Sequence, residues 1–276
     1  RKGEEYILER GAAGCPAHVV FPVPARSPQG VLVIPTVEGT CMVGPTAIEQ
    51  DDKRDLSTSR TNFETIFHTA RRLVPAISER DIITSFAGLR PTLAGDDFCI
   101  AVSARQPHLV QVAGIQSPGL TAAPAIGEYV KDLLKKTGLE LTERPDYDPR
   151  IPEVPRLRDL SPYEADELIA REPAYGEVVC RCESVSEAEI VAAIRAGHTT
   201  MDGIKFYTRA QMGRCQGGFC SYRILKILQR ETGLGLAEIT KRGGASQLVP
   251  HEVGGLPLAH AAGEPPELAE AEQAHD

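Results

Sequence analysis

The sequence predicts an α+β protein, in which a mixed sheet-and-helix domain is followed by a small all-α domain built on a helix-turn-helix. Three observations carry this expectation. Short β-prone runs are interleaved with helical periodicity as far as residue 138, six prolines crowd residues 140–175, and from Gly176 the apolar pattern turns helical.

In chain order, Val31-Leu32-Val33-Ile34 and Thr40-Cys41-Met42-Val43 read as two strands joined by a tight turn at Thr36–Gly39, where the glycine can take a positive φ. Glu64 to Leu73 places Ile66, Phe67, Ala70 and Leu73 at helical spacing, and Pro75 stops the helix. Strands follow at Ile82–Phe86, Phe98–Val102 and Leu109–Ala113. An amphipathic helix over Ala122–Lys136 ends at Gly138, with Lys131, Lys135 and Lys136 where cations suit the negative helix end.

Pro145, Pro149, Pro152, Pro155, Pro162 and Pro173 cannot continue a helix or a central strand, so this stretch reads as a linker with one helical turn around Tyr163–Ala170. Ser186 with Glu189 forms a capping box, and Ala188, Ile190, Val191 and Ile194 mark a helix ending at Gly197. A second helix runs from Ser221 to Glu231 and buries Ile224, Leu225, Ile227 and Leu228, with Gly233 beyond it. The expected organisation is residues 1–138, a linker over 139–175, a second domain over 176–244, and an acidic, disordered tail over 245–276.

A chain of 276 residues, 42% apolar and 25% charged, is long enough to bury a core and ordinary for a globular protein. No apolar run approaches the ~18 residues of a membrane helix, so no transmembrane segment is expected. The net charge of -8 argues against nucleic acid as a partner. That charge is uneven: the residues after Val249 hold six acids and no Lys or Arg, while Cys180–Arg230 holds eight bases against four acids. The chain opens on Arg1 without Met or a signal segment, which suggests a fragment or a processed chain.

Seven cysteines do not suit a secreted disulfide framework, so the expected compartment is reducing, with cytoplasm as the default. Four of the seven cluster as Cys180-x-Cys182 and Cys215-x4-Cys220. Short spacings pre-set each half of a site on which four thiolates converge. Four buried thiols packed as small hydrophobes, or a structural zinc site, are the alternatives, although a one-residue gap is unusual for zinc. An iron–sulfur cluster suits the surroundings better. A [2Fe-2S] centre with four thiolates carries net negative charge, Arg181, Lys205, Arg209 and Arg214 are near in sequence, and Gly213, Gly217 and Gly218 let backbone amides approach the sulfurs. Cys220 falls at the start of the second helix, whose positive end also favours an anion. Cys15, Cys41 and Cys99 read as packed thiols, and His18, His68, His108 and His198 have no paired acid or nucleophile.

Val179-Cys180-Arg181-Cys182-Glu183, Thr199-Thr-Met-Asp-Gly-Ile-Lys205 and Thr208-Arg-Ala-Gln-Met-Gly-Arg-Cys-Gln-Gly-Gly-Phe-Cys220 resemble the bacterioferritin-associated-ferredoxin-like [2Fe-2S] domain. In particular they resemble the version fused to anaerobic glycerol-3-phosphate dehydrogenase large subunits and related FAD-dependent oxidoreductases. The likeness covers roughly Gly176–Gly244. It implies that Cys180, Cys182, Cys215 and Cys220 are ligands of a cluster that passes single electrons.

Upstream, Gly114-Ile-Gln-Ser-Pro-Gly-Leu-Thr121 joins a predicted strand to a predicted helix, a junction that offers backbone amides and a helix dipole to an anion or an electron-rich carbonyl. By itself such a turn is equally well structural. It is similar to the second flavin-contacting motif of D-amino-acid-oxidase-like FAD oxidoreductases, a resemblance that implies FAD contacts from Gly114, Ile115, Ser117, Pro118, Gly119, Leu120 and Thr121. Ser85-Phe-Ala-Gly-Leu-Arg-Pro91 resembles the strand in that superfamily whose arginine reaches the substrate's anionic group, which implies that role for Arg90; a salt bridge is the alternative. Arg1-Lys-Gly-Glu-Glu-Tyr6 and Gly44-Pro-Thr-Ala47 extend the likeness over roughly residues 1–134.

Full-length members open on a βαβ unit with Gly-x-Gly-x-x-Gly, which this sequence lacks, so the expectation is a partial flavoprotein substrate-binding domain that does not hold FAD alone. The function implied is an FAD- and [2Fe-2S]-dependent dehydrogenase. It would oxidise glycerol 3-phosphate or a related small anionic alcohol or amine, with electrons leaving through the cluster to a redox partner subunit or electron acceptor. Membrane association would then come through that partner. A non-catalytic electron-transfer or docking module, and a zinc-bound structural domain, remain as rivals.

Overall fold

The structure is a computed structural model that describes residues 1–23, 30–150 and 153–249. Of the disordered tail expected over 245–276, residues 250–276 lie outside them; the first five residues are ordered instead, because Gln247 bridges to Thr240 and Val249 packs on the core of the second unit. The chain divides into two compact units, Arg1–Ile151 and Pro152–Asp276.

The first unit is built on a four-stranded antiparallel sheet in the order β2-β3-β1-β4, from β1 (Lys2–Leu8), β2 (Leu32–Pro35), β3 (Cys41–Gly44) and β4 (Ile82–Leu89). The expected β2–β3 hairpin is present, and Gly39 takes φ 82° in its turn. Helix α1 (Arg60–Leu73) covers one face of the sheet, and its expected stripe of Ile66, Phe67 and Ala70 is buried with Leu8, Val33 and Val43. Tyr6 meets Phe63 and Phe67 edge-on, at ring-centroid distances of 5.4 and 5.5 Å.

Strand β1 is absent from the sequence expectation because charged residues occupy its inward positions. Lys2, Glu4, Tyr6 and Leu8 all face α1, and each polar one has partners there. The fully buried Glu4 carboxylate accepts from the Ser59 N–H at 2.9 Å and the Asn62 amide at 2.6 Å, which ties the start of α1 to the sheet. Lys2 Nζ lies 2.8 Å from Asp55 and holds that carboxyl well below the usual range. The inward charges of Lys2 and Glu4 are tolerated because one reaches the half-exposed Asp55 and the other is hydrogen-bonded, where an unpaired buried charge would not be.

Strands β5 (Cys99–Val102) and β6 (Val110–Ala113) form a separate hairpin, against which α2 (Gly119–Lys136) packs. The helix begins three residues earlier than its periodicity suggests, because the turn at Gly114–Pro118 already delivers the chain in helical direction.

In the second unit, α4 (Glu187–Arg195), α5 (Met201–Thr208) and α6 (Ser221–Thr232) enclose Ile190, Ile194, Met201, Ile204, Ile224, Leu228 and Ile239. The Ser186/Glu189 capping box is formed, and Gly233 closes α6 in the left-handed conformation. Two features go beyond an all-helical unit with a plain linker. A two-stranded ribbon pairs β7 (Val178–Cys180) with β8 (Val185–Ser186) and delivers the first cysteine. The expected single helical turn is a ten-residue helix, α3 (Pro162–Arg171), because Ser161 and Glu164 make a second capping box with Pro162 at the first helical position. Its Leu168 packs with Tyr175 and with Ala188 of α4. Among the described residues no helix is long and apolar enough to cross a membrane.

Candidate functional site

The four clustered cysteines come from two short pieces of backbone, Cys180–Cys182 and Cys215–Cys220. Cys180 ends β7, Cys182 lies in the turn that follows, Cys215 sits in the loop after α5, and Cys220 is the residue from which α6 starts. The fold brings all four together as two pairs. Cys182 and Cys215 sulfurs are 3.6 Å apart, and Cys180 and Cys220 share a second thiol–thiol hydrogen bond. Each pair thus joins one cysteine from the first motif to one from the second.

Backbone amides point into the same space. Cys180 accepts from the Gln211 and Glu183 N–H groups, Cys215 from Phe219 and Gly217, and Cys182 from Cys215. One thiol of each pair is inclined to ionise. The hydrogen bond from Cys220 brings Cys180 down to about 6, while Cys220 is driven up by Cys180 and by burial. The Phe219 amide lowers Cys215; the Cys215 amide pulls Cys182 down, but burial and the neighbouring Cys215 thiol together raise it.

The backbone around these sulfurs is unusual. Of five non-glycine residues with positive φ among the described residues, four surround this site: Ser184 (51°), Arg209 (69°), Gln211 (75°) and Gln216 (48°). Such conformations cost about 1–3 kcal/mol each and persist where surrounding structure over-determines them, typically at functional sites. Gly213 backs directly onto Cys182: a Cβ there would overlap the Cys182 Cβ and lie 3.2 Å from Glu183 Oε1. Gly213→Ala is therefore expected to push the Cys182 limb aside and lower bound iron several-fold, measured as iron and acid-labile sulfide per chain after anaerobic purification.

Among the described residues, no three His, Cys, Asp or Glu side chains gather as a group for a single metal ion. Two thiol pairs ringed by amides fit a two-iron centre, in which each iron takes two thiolates and hydrogen bonds to sulfur tune the potential. Of the cations that the sequence places nearby, Arg181 and Arg214 are exposed. Arg209 is turned to a carboxylate, its Nε lying 3.3 Å from Glu183 Oε2; Arg158 Nη1 reaches the same oxygen at 3.2 Å. Sequence reasoning misses this grouping of Arg158 and Arg209 around the buried Glu183. The only signal is a carboxylate directly after the second cysteine, and Arg158 lies outside the motif.

In the first unit, β6 ends at Ala113 and Gly114 turns the chain with φ 68°, where a Cβ would press on Leu93 and on the Asp97 carbonyl. The Gly119 N–H donates to the Gln116 carbonyl at 2.6 Å, closing the turn, and α2 begins with no side-chain cap on its amides. A cavity of about 390 Å³ opens there, lined by Ile115–Thr121 together with Arg90 and Pro91. Arg90 and the residues Ile115, Ser117, Pro118, Gly119, Leu120 and Thr121 therefore share one cavity, with Gly114 in the turn that shapes it. Leu120 projects into open space and is 92% exposed. Uncapped amides at the start of an 18-residue helix, beside an apolar side chain, fit the acceptor-bearing edge and flat face of a flavin.

Cys41 is buried, and burial with the Cys15 thiol pushes its own thiol up to about 12. His198 stacks on Tyr207 at 4.7 Å.

Residues 1–133 match the family described as FAD dependent oxidoreductase, and residues 178–230 match the BFD-like [2Fe-2S] binding domain. The chain is 41% identical over 243 residues to a glycerol 3-phosphate dehydrogenase of Caloramator mitchellensis, covering 87% of this chain and 51% of that protein. It is 27% identical over 227 residues to the anaerobic glycerol-3-phosphate dehydrogenase subunit A1 of Haloferax volcanii, covering 70% of this chain and 38% of the relative. Among solved structures, the L-alpha-glycerophosphate oxidase of Mycoplasma pneumoniae with FAD bound superposes with a TM-score of 0.50 at 30% identity, over 55% of this chain and 40% of that one. The chain thus spans about half the length, or less, of the relatives it matches.

Proposed function

We propose, for a chain that belongs to the FAD dependent oxidoreductase family and carries a BFD-like [2Fe-2S] binding domain, that it forms the substrate-facing wall and the electron outlet of a flavin dehydrogenase. The substrate is glycerol 3-phosphate or a related small anionic alcohol or amine. One observation carries the reading: Arg90 and the start of α2 line the same cavity, so a site for substrate anion adjoins a site for an electron-rich ring. The names of the relatives support the choice of substrate.

When bound, FAD supplies the hydride acceptor and the cluster a one-electron relay. The residues of this chain do the positioning. The planar guanidinium of Arg90 offers a two-pronged grip on phosphate or carboxylate. The amides opening α2 favour negative charge building at the flavin edge. Cys180, Cys182, Cys215 and Cys220 hold the cluster, and neighbouring amides offset its negative charge. Residues 1–138 serve the flavin side and 176–244 the cluster side, joined through 139–175. Electrons pass to a partner subunit or a diffusible acceptor, for which a relative named as a subunit is the support. The site of action is the cytoplasm, or the membrane surface through that partner.

The test uses the complete protein containing this chain, purified without oxygen. Addition of glycerol 3-phosphate is expected to bleach the flavin absorbance and then reduce a dye. Arg90→Met is expected to raise KM about tenfold to a hundredfold at unchanged flavin content, the loss of one charge-assisted pair. An enzyme that reduces neither flavin nor dye with any small anionic alcohol or amine removes the assignment.

A further inference from the structure

The face of the four-stranded sheet turned away from α1 carries a second arrangement. Side chains alternate along a strand, so Arg1, Gly3 and Glu5 share that face with Arg90, Gly88 and Phe86, opposite which they are registered. The middle rank, Gly3 and Gly88, has no side chains. A trough of about 200 Å³ opens above it, with Glu5 and Phe86 at one end, Arg90 at the other and Pro45 alongside.

Nothing in the packing requires glycine at position 88, since a Cβ there would meet no atom within 4 Å. Glycine within a strand weakens it and often marks the close approach of a ligand. Gly44 makes the matching provision beside Glu5: its φ is 138°, and a Cβ would come within 2.9 Å of Glu5 Cγ. Glu5 is half-buried, and its carboxyl is raised by burial against the opposing pull of the Arg90 charge. Neither the Glu5 carboxylate nor the Arg90 guanidinium has a hydrogen-bond partner among the described residues. Arg90 also lines the cavity at the start of α2, so one cation borders both spaces.

We propose that this glycine-floored trough receives the body of a short bipolar substrate, with Arg90 on its anionic end and Glu5 accepting a hydrogen bond from a hydroxyl or ammonium group at the other end. The inference rests on the dehydrogenase reading above and adds the group that selects among anionic ligands. An ionised carboxylate only accepts hydrogen bonds. A ligand without a donor leaves it partly desolvated and unpaired, and a site built on such a contact discriminates more strongly than an apolar pocket.

The experiment compares two ligands of the complete, FAD-loaded enzyme: glycerol 3-phosphate as substrate and ethyl phosphate, which keeps the anion but lacks the hydroxyls, as competitive inhibitor. Glu5→Gln is expected to raise KM for glycerol 3-phosphate about tenfold while the inhibition constant of ethyl phosphate stays within twofold. Gly88→Val, whose Cβ would meet no atom within 4 Å and whose methyls enter the trough, is expected to weaken both ligands at unchanged flavin content and melting temperature. Wild-type turnover with an unaltered KM in Glu5→Gln, equal losses for both ligands in that variant, or full activity in Gly88→Val would overturn the inference and leave the dehydrogenase reading standing. A wild-type enzyme that neither binds nor oxidises any short anionic alcohol or amine removes both.

Discussion

Cys180→Ser is expected to abolish cluster binding, leaving chain with less than about a tenth of wild-type iron and sulfide and no EPR signal after dithionite reduction. Cys180 sits at the junction of the two thiol pairs. It shares a hydrogen bond with Cys220, interacts electrostatically with Cys182 and Cys215, and accepts two backbone amides. It is 1% exposed, so no solvent-borne ligand replaces it readily. A serine hydroxyl ionises far less readily than a thiol that is brought down to about 6, and it is a poorer ligand for a centre that selects soft thiolates. Retention of stoichiometric iron and sulfide in Cys180→Ser would remove the four-thiolate assignment. If the wild-type protein binds zinc without sulfide after anaerobic growth with iron, the structural zinc alternative takes its place.

Glu183→Ala is expected to cost the second unit about 1–3 kcal/mol, the range for depriving charge-assisted hydrogen bonds of their buried acceptor. Glu183 is 2% exposed, and two guanidinium groups converge on one of its oxygens. The alanine takes from Arg158 and Arg209 the carboxylate that they share, while Arg158 keeps Asp159 at 3.7 Å. Urea unfolding followed by far-UV circular dichroism measures the loss as a lower midpoint. The triple variant Arg158→Met, Glu183→Leu, Arg209→Met separates charge from packing: recovery of most of the midpoint identifies the lost charge pairing as the cause. A midpoint in Glu183→Ala within about 0.5 kcal/mol of wild type would mean that the grouping is not a structural tie. Because Glu183 follows Cys182 directly, the same variant tests whether the tie also holds the cysteine turn, read as iron content.

Legibility in the sequence differs from element to element for physical reasons. Helices α1, α4 and α6 can be read because their apolar stripes and caps are local: Ser186 and Glu189 need only each other and the chain between them. The hairpin of β2 and β3 is likewise set by a turn of four residues. Strand β1 escapes because the inward side chains Lys2 and Glu4 find partners at Asp55, Ser59 and Asn62, fifty or more residues away, and no window of the sequence contains those partners. Helix α3 hides among prolines, although Pro162 stands at the one helical position where a missing N–H costs nothing.

The same division runs through the sites. By itself the sequence determined which residues bear the chemistry: four cysteines at restrictive spacings, an arginine able to grip an anion, and a glycine-turned entry into a helix. Only the tertiary structure decided how they are combined. It pairs the cysteines across motifs, sets Arg90 and α2 around one cavity, binds Glu183 between Arg158 and Arg209, and clears a trough over Gly3 and Gly88. Residue type and spacing are properties of neighbouring atoms along the chain, whereas sulfur–sulfur distances, shared cavities and buried charge depend on strand register and helix packing between segments far apart in sequence.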